Sequence, residues 1–498
     1  MRPRSPRPPF GEPGGPTDNQ IHRSTPTEGK TRALSRLLAL LMLVTALSLP
    51  GTPVTAAPVA DRTSAVTAAT ATAATVDRKR AEPYRPARGV TFNSAVGGRT
   101  AQRTIIDKIL RTIDAVPPGQ EIKILSWNFL SRNGTDALLR AQRRGVRVRL
   151  LMDNVNNVEI ENGAFRRLRA GLFIGNKGRR YERFSWARTC QGSCRGLGGQ
   201  AHAKFFMFSK VGKTPRVVIQ GSANLTEAAT FNQWNDVYTH VRNQDVWDFY
   251  STAFQQSATD KRIARRFLST TSATFRLIQF PLVGGRDPVF QLLREVRCKG
   301  ATNTANGITR IRIAPDVIRN DRGMRLARTV RDLWNRGCDV KIGYTILGVD
   351  IGRYLRAPGG RGPVPLRHLV QDLDDDGEFD NYFHLKAMSI IGNVGGKRSG
   401  HAVLNGSANW SGAAARSDEN VGIYRNERDA MAYEKHIDFW YDWFGTSSAR
   451  TSPYASMRST GRVAQPGALV FGTGADAVYE DGTPYSLTGI DPFAKHVD

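Results

Sequence analysis

Residues 201–210 read AHAKFFMFSK, and QGSANLTEAA follows at 220–229. Further on, FHLKAMSII at 383–391 and LNGSANWSGAA at 404–414 repeat the pattern: His-x-Lys, then Gly-Ser-Ala-Asn. An isolated His-x-Lys is a weak signal, and an isolated histidine at a strand end is ordinarily a satisfied core residue. Here the chain holds two His-x-Lys and two Gly-Ser-Ala-Asn strings, paired in that order each time. Packing has no need for His, Lys and Asn together, so the duplication points to chemistry.

In a strand, alternate side chains share a face, so His202 with Lys204, and His384 with Lys386, are expected to point the same way. That sets an imidazole able to act as nucleophile or general base beside an ammonium able to hold a phosphate oxygen. Asn224 and Asn409 add amide donors. Their strings are expected to open helices, where free backbone N–H groups and the dipole also favour an anion. Ser222 and Ser407 can brace that turn.

The flanking sequence repeats as well. EIKILSWNF (121–129) is a strand-like apolar run, GTDALLRAQRRG (134–145) has helical spacing, and VRVRLLMDN (146–154) reads as a second strand. ITRIRIAPDV (308–317), RGMRLARTVRDLWNRG (322–337) and CDVKIGYTIL (338–347) give strand, helix and strand again. Two α/β units packed on each other around parallel-rich sheets are expected.

Taken together, the motifs resemble those of the phospholipase D superfamily, whose signature is His-x-Lys, four residues, Asp, then Gly-Ser-x-Asn, present twice in one chain. The resemblance spans roughly residues 90–445. It implies two similar α/β sandwich halves related by a pseudo-twofold axis, with a single active site at their interface. It also implies that one histidine attacks phosphorus to form a phosphohistidine while the other protonates the leaving alcohol, with no metal required. On this basis His202 is assigned as nucleophile and His384 as acid, with Lys204, Lys386, Asn224 and Asn409 around the phosphate and Ser222 and Ser407 in support.

The sequence departs from the family where Asp is expected, holding Ser209 in the first half and Ile391 in the second. After the second Gly-Ser-Ala-Asn, Glu419 and Asn420 fit the family's Glu-Asn step that supports an imidazole. The first half has Asn235 and Asp236 at the comparable place, the acid shifted by one position. Asp236 and Glu419 are therefore expected to be the carboxylates that orient the imidazoles.

The chain of 498 residues has 40% hydrophobic and 23% charged residues, which is the composition of a soluble globular protein. Its net charge of +27 favours phosphate-bearing partners: nucleic acid, anionic lipid headgroups or cell-wall polyanions. Arg32 and Arg36 precede LLALLMLVTALSL (37–49), and small residues follow, which is a secretory signal. The expected organisation is a signal peptide and leader at 1–57, a flexible linker at 58–84, repeats at 85–265 and 266–445, and an extension at 446–498. A secreted, extracellular protein is expected.

Export suits disulfides. Of the three connectivities open to Cys190, Cys194, Cys298 and Cys338, the most economical pairs Cys190 with Cys194 and Cys298 with Cys338. DLDDDGEFD (372–380) is similar to the opening of a calcium loop, with Asp372, Asp374 and Asp376 in place but Phe383 where a Glu would close it, so a structural calcium is kept open. KGRRYERF (177–184) with Arg195 forms a basic loop that could meet phosphate or face water. The leading expectation is a monomeric phosphodiesterase acting on phospholipid headgroups, with contact to an anionic membrane surface. The alternatives are an exported nuclease acting on nucleic acid, or a weakened homologue that grips phosphates without turnover.

Overall fold

The computed structural model describes residues 84–446, except 159–160, 285–286 and 374–378, together with the backbone of two short strands, Val470–Phe471 and Val478–Tyr479, which pair antiparallel. The leader read at 1–57, nearly all of the linker and most of the extension lie outside the described residues.

The first repeat builds a seven-stranded sheet. Glu121–Ser126 runs parallel to Arg147–Asp153, which runs parallel to Trp186–Cys190 at the edge. On its other side Glu121–Ser126 is antiparallel to Phe205–Val211, and Thr214–Gly221, Asp236–His240 and Gly89–Phe92 follow in antiparallel succession. The second repeat lays down the same order. Arg310–Pro315 is parallel to Asp339–Tyr344 and that to Leu366–His368, while Lys386–Val394, Lys397–Gly406, Asn420–Tyr424 and Phe275–Gln279 follow antiparallel on the other side. An extra edge strand, Leu268–Thr271, and the short Val296–Arg297 bring this sheet to nine strands.

Alternation decides what each sheet face covers. In Arg147–Asp153, Val148, Leu150 and Met152 enter one core with helices Gly98–Asp114, Arg132–Arg143 and Gly163–Ile174, while Leu151 enters another. Helix Asn320–Asn335 buries Leu326, Ala327, Val330 and Leu333 at helical spacing against the outer face of the second sheet. The inner core belongs to both repeats. Phe205, Met207 and Val218 of the first sheet meet Ala387, Ile391 and Val403 of the second, together with helices Gln244–Ser257 and Glu427–Trp443. The α/β fold is therefore two like halves packed inner face to inner face.

Element ends differ modestly from the sequence pattern. The strand read through 129 stops at Ser126. The helix read from 134 begins at Arg132, because the Ser131 side chain accepts from Gly134 N–H at 3.0 Å and caps it. The helix read at 322–337 runs Asn320–Asn335, and Gly337, at φ 92°, turns the chain into the next strand. Both disulfides form as the economical pairing requires, Cys190–Cys194 and Cys298–Cys338.

Candidate active site

The two histidines do not lie within strands. Residues 201–204 lie just ahead of Phe205–Val211, and His384 and Leu385 precede Lys386, which opens its strand. The shared strand face expected for each His-Lys pair is thus replaced by a short irregular approach held through its backbone. Ala201 N–H donates to Asp153 at 2.7 Å, Lys204 N–H to Asn420 Oδ1 at 2.6 Å, and His384 N–H to Trp234 O at 2.9 Å. The last two partners belong to the opposite half.

The imidazoles are held the same way. His202 Nδ1 lies 2.9 and 2.8 Å from the two Glu419 oxygens, and His384 Nδ1 lies 2.7 Å from Asn235 Oδ1. Both acceptors can only accept, so each imidazole carries a proton on Nδ1 and directs Nε2 at the other side of the ring. Each histidine is therefore oriented by a residue from the other repeat. Asn235 takes the place expected for a carboxylate, which corrects the assignment of Asp236.

Asp236 corresponds instead to Asn420. Its Oδ2 accepts from Asn405 Nδ2 and from Tyr433 O–H, each at 2.6 Å, and its Oδ1 has no hydrogen-bond partner among the described residues. Burial pushes this carboxyl above the usual range, with Tyr433, Asn405 and Ser222 only partly offsetting it. Burial thus favours the protonated form, which resembles the amide that the other half uses here.

The repeated glycine makes this geometry possible. A Cβ on Gly221 would lie 2.2 Å from Asp236 O, and one on Gly406 would lie 2.0 Å from Asn420 O, so only glycine lets the next strand approach this closely. That approach brings Ser222 Oγ to Asn235 Oδ1 at 3.0 Å and Ser407 Oγ to Glu419. The expected helix starts lie further along. Asn224 and Asn409 precede the five-residue helices Glu227–Phe231 and Gly412–Arg416, whose caps are Thr226 and Ser411. The Asn carbonyls are anchored on the loops after the parallel strands: Asn224 Oδ1 accepts from Ser126 O–H and Asn128 N–H, and Asn409 Oδ1 from Val317 N–H. With its oxygen anchored in this way, each side chain keeps its amide nitrogen as the donor end.

Hydrogen bonds join the two motifs into one site. Asn420 Nδ2 donates to Gln220, whose Nε2 donates to Asn405, which donates in turn to Asp236; Ser222 accepts from Asp236 N–H and donates to Asn235, the partner of His384. On the other end, Ser407 accepts from Asn420 N–H and meets Glu419, the partner of His202. All the motif residues are buried, His202 at 2% exposure and His384 at 0%.

Each lysine Nζ donates to the carbonyl of its own motif histidine, Lys204 to His202 O at 2.9 Å and Lys386 to His384 O at 3.0 Å. Lys204 Nζ also sits 2.7 Å from His202 Nε2 and 5.7 Å from the Trp127 ring, whereas Lys386 Nζ pairs with Asp316 at 3.2 Å. Trp127 and Asp316 hold matching places, each one residue before the N–H that anchors the motif Asn. No motif flagged these two or Asp153; the only signal was their position at the end of a parallel strand, where α/β sheets place ligands.

The slots that lack Asp lie far from the imidazoles. Ser209 Oγ accepts from Glu121 N–H and donates to Gln120 at the opposite end of the strand, and Ile391 is buried in the shared core. Arg195 does not face a phosphate; it is 0% exposed and bonds Asp418, Gln256, Arg266 O and Phe280 O. Of the acidic loop, Asp374 and Asp376 lie outside the described residues, and among the described residues no group of three or more His, Cys, Asp or Glu is placed to hold a metal.

Residues 109–257 match the family model described as cardiolipin synthase, PLD-like domain. No curated protein matches the sequence. Among solved structures, phosphatidylserine synthase from Haemophilus influenzae is similar at 14% identity and TM-score 0.45, covering 71% of this chain and 88% of that one. Polyphosphate kinase from Porphyromonas gingivalis is similar at 14% identity and TM-score 0.44, covering 70% of this chain but only 49% of the kinase, so the match spans about half of that protein. Nuc from Salmonella typhimurium, described as a phospholipase D family member, is similar at 17% identity and TM-score 0.26, covering 35% of this chain and 98% of its own.

Proposed function

We propose that this chain, a member of the phospholipase D superfamily, cleaves phosphodiesters of phospholipids through a phosphohistidine, outside the cell. The observation that carries the reading is the crossed arrangement: two imidazoles and two ammonium groups in one network, each imidazole fixed at Nδ1 by the other half. The matched family takes its name from the synthesis of cardiolipin, a phospholipid, which supports a phosphatidyl substrate. The two disulfides support work in an oxidising compartment.

In the first step Nε2 of His202 attacks phosphorus, its lone pair now held by Lys204 at 2.7 Å. The bond to the leaving alcohol breaks, and the alcohol oxygen takes the proton from Nε2 of His384. Glu419 stabilises the cationic ring of the phosphohistidine through Nδ1–H. Lys204, Lys386, Asn224 and Asn409 spread the phosphoryl charge over fixed donors. Water then enters, gives its proton to His384 and displaces His202, restoring both imidazoles. An alcohol in place of water gives transfer instead of hydrolysis. No step requires a metal, and turnover is expected to survive EDTA.

Roles are separable by leaving group. His202→Ala is expected to abolish turnover of every diester, whereas His384→Ala should fail on phosphatidylcholine yet still release p-nitrophenol, which needs no acid. Equal loss on both substrates in both variants would reject the assignment of His384. Plasmid nicking without headgroup release would move the substrate to nucleic acid, and neither activity with retained phosphate binding would leave a phosphate-binding protein.

A further inference from the structure

Among the described residues strand Trp186–Cys190 pairs on one side only, and along this edge lies a cavity of about 800 Å³ that has no part in the chemistry above. Apolar Ala170, Phe173, Phe184, Trp186 and Ala187 line it together with Arg147, Arg149, Arg166, Arg169 and Arg188. Arg147 pairs with Glu121, and Arg166 donates to Asn157 O at 3.2 Å. Arg149, Arg169 and Arg188 make no hydrogen bond or ion pair with any described residue; Arg149 and Arg188 lie 5.9 and 4.6 Å from the Trp186 ring. Burial holds the Arg149 guanidinium below its usual range, and repulsion from Arg147 and Arg188 adds to that. Five guanidiniums line the cavity against one lining carboxylate, Glu182, with Glu121 beside Arg147 and Arg149, so positive charge is in excess here.

The same flank exposes large apolar side chains. Val158, Phe173, Ile174 and Tyr181 are 65%, 78%, 71% and 78% exposed. Base stacking would use Phe173 and Tyr181 but leaves Val158 and Ile174 without a role. A lipid interface uses all four, with guanidiniums at the headgroup phosphates and apolar side chains at the acyl boundary. We infer that this flank docks the protein on an anionic phospholipid surface, which the excess guanidiniums and exposed apolar side chains recognise together. The proposal rests on the phospholipid reading above for the identity of that surface. It also places the surface near the chemistry: Asn157 lines the cavity, its neighbour Asn156 donates to Trp127 O at 2.9 Å, and the Trp127 ring lies 5.8 Å from that of His202.

The test compares the full chain with two variants, Arg149→Gln/Arg169→Gln/Arg188→Gln and Phe173→Ser/Ile174→Ser, in sedimentation with phosphatidylcholine vesicles with and without phosphatidylglycerol. Wild type should bind vesicles that contain phosphatidylglycerol, and the triple variant should bind them about a hundredfold more weakly. The double variant should also lose binding, while both variants turn over bis(p-nitrophenyl) phosphate in solution within about twofold of wild type. Variants that partition like wild type overturn the proposal. So does a loss of oligothymidylate binding with vesicle binding unchanged, which would assign the flank to nucleic acid. Vesicle results as expected in a protein that cleaves no diester would keep the docking surface and reject the phosphodiesterase reading.

Discussion

At the scale of single residues, the two halves differ most in what faces each imidazole: the Glu419 carboxylate for His202, the Asn235 amide for His384. An opposite charge within hydrogen-bond reach favours the imidazolium. If His384 is the acid, Asn235→Asp should keep it protonated to higher pH, moving the alkaline limb of the kcat profile up by about one pH unit. Asn235→Leu should lower kcat by about a hundredfold with KM little changed, within the range that general acid catalysis supplies. A merely structural role would change stability without moving the limb. Asp236 gives a second residue-scale expectation. Burial raises its carboxyl above the usual range, so the folded state keeps the proton after the unfolded chain has lost it. Stability from this group is therefore greatest below about pH 4 and falls as pH rises toward the folded value. Asp153, pushed by burial to about 6, adds to the same slope. Asp236→Asn should melt above wild type at neutral pH and lose that advantage below about pH 4, as thermal scans across pH would read.

At the scale of elements, the strand-helix-strand units were legible because their apolar periodicity is local. Val148, Leu150 and Met152 alternate in the sequence as they do in the sheet. The strand faces of His202 and His384 were misread because nothing in HAK or HLK tells a strand from the irregular approach to one; that approach is set by bonds to Asn420 and Trp234, far along the chain. The Asp slot is an element-level matter too. Ser209 lies five residues past Lys204, roughly 17 Å along the strand, and closes the turn at Gln120 and Glu121. Ser209→Ala should cost about 1 kcal/mol of stability, read by denaturant unfolding, and leave kcat unchanged.

Across the whole molecule, the halves are tied by a clamp that looked like a loose basic loop in the sequence. Arg195 and Asp418 pair at 3.0 Å with both side chains buried. Burial pushes the Asp418 carboxyl up and the Arg195 guanidinium down, and their mutual attraction offsets part of each. Such a pair is weak evidence of net stability, but breaking it leaves a buried charge alone. Asp418→Asn should cost about 3–5 kcal/mol in urea unfolding and broaden or split the transition as the halves loosen. Arg195 misled because its charge is visible in sequence and its partner, more than two hundred residues away, is not.

The exchange of imidazole partners has a further consequence. Since Glu419 serves His202 and Asn235 serves His384, neither repeat owns a finished reactive group. A fragment cut between the sheets would carry an unoriented ring. Catalysis becomes a report on assembly: mixing two separately inert fragments should restore turnover to the degree that they re-form the original interface, and no further.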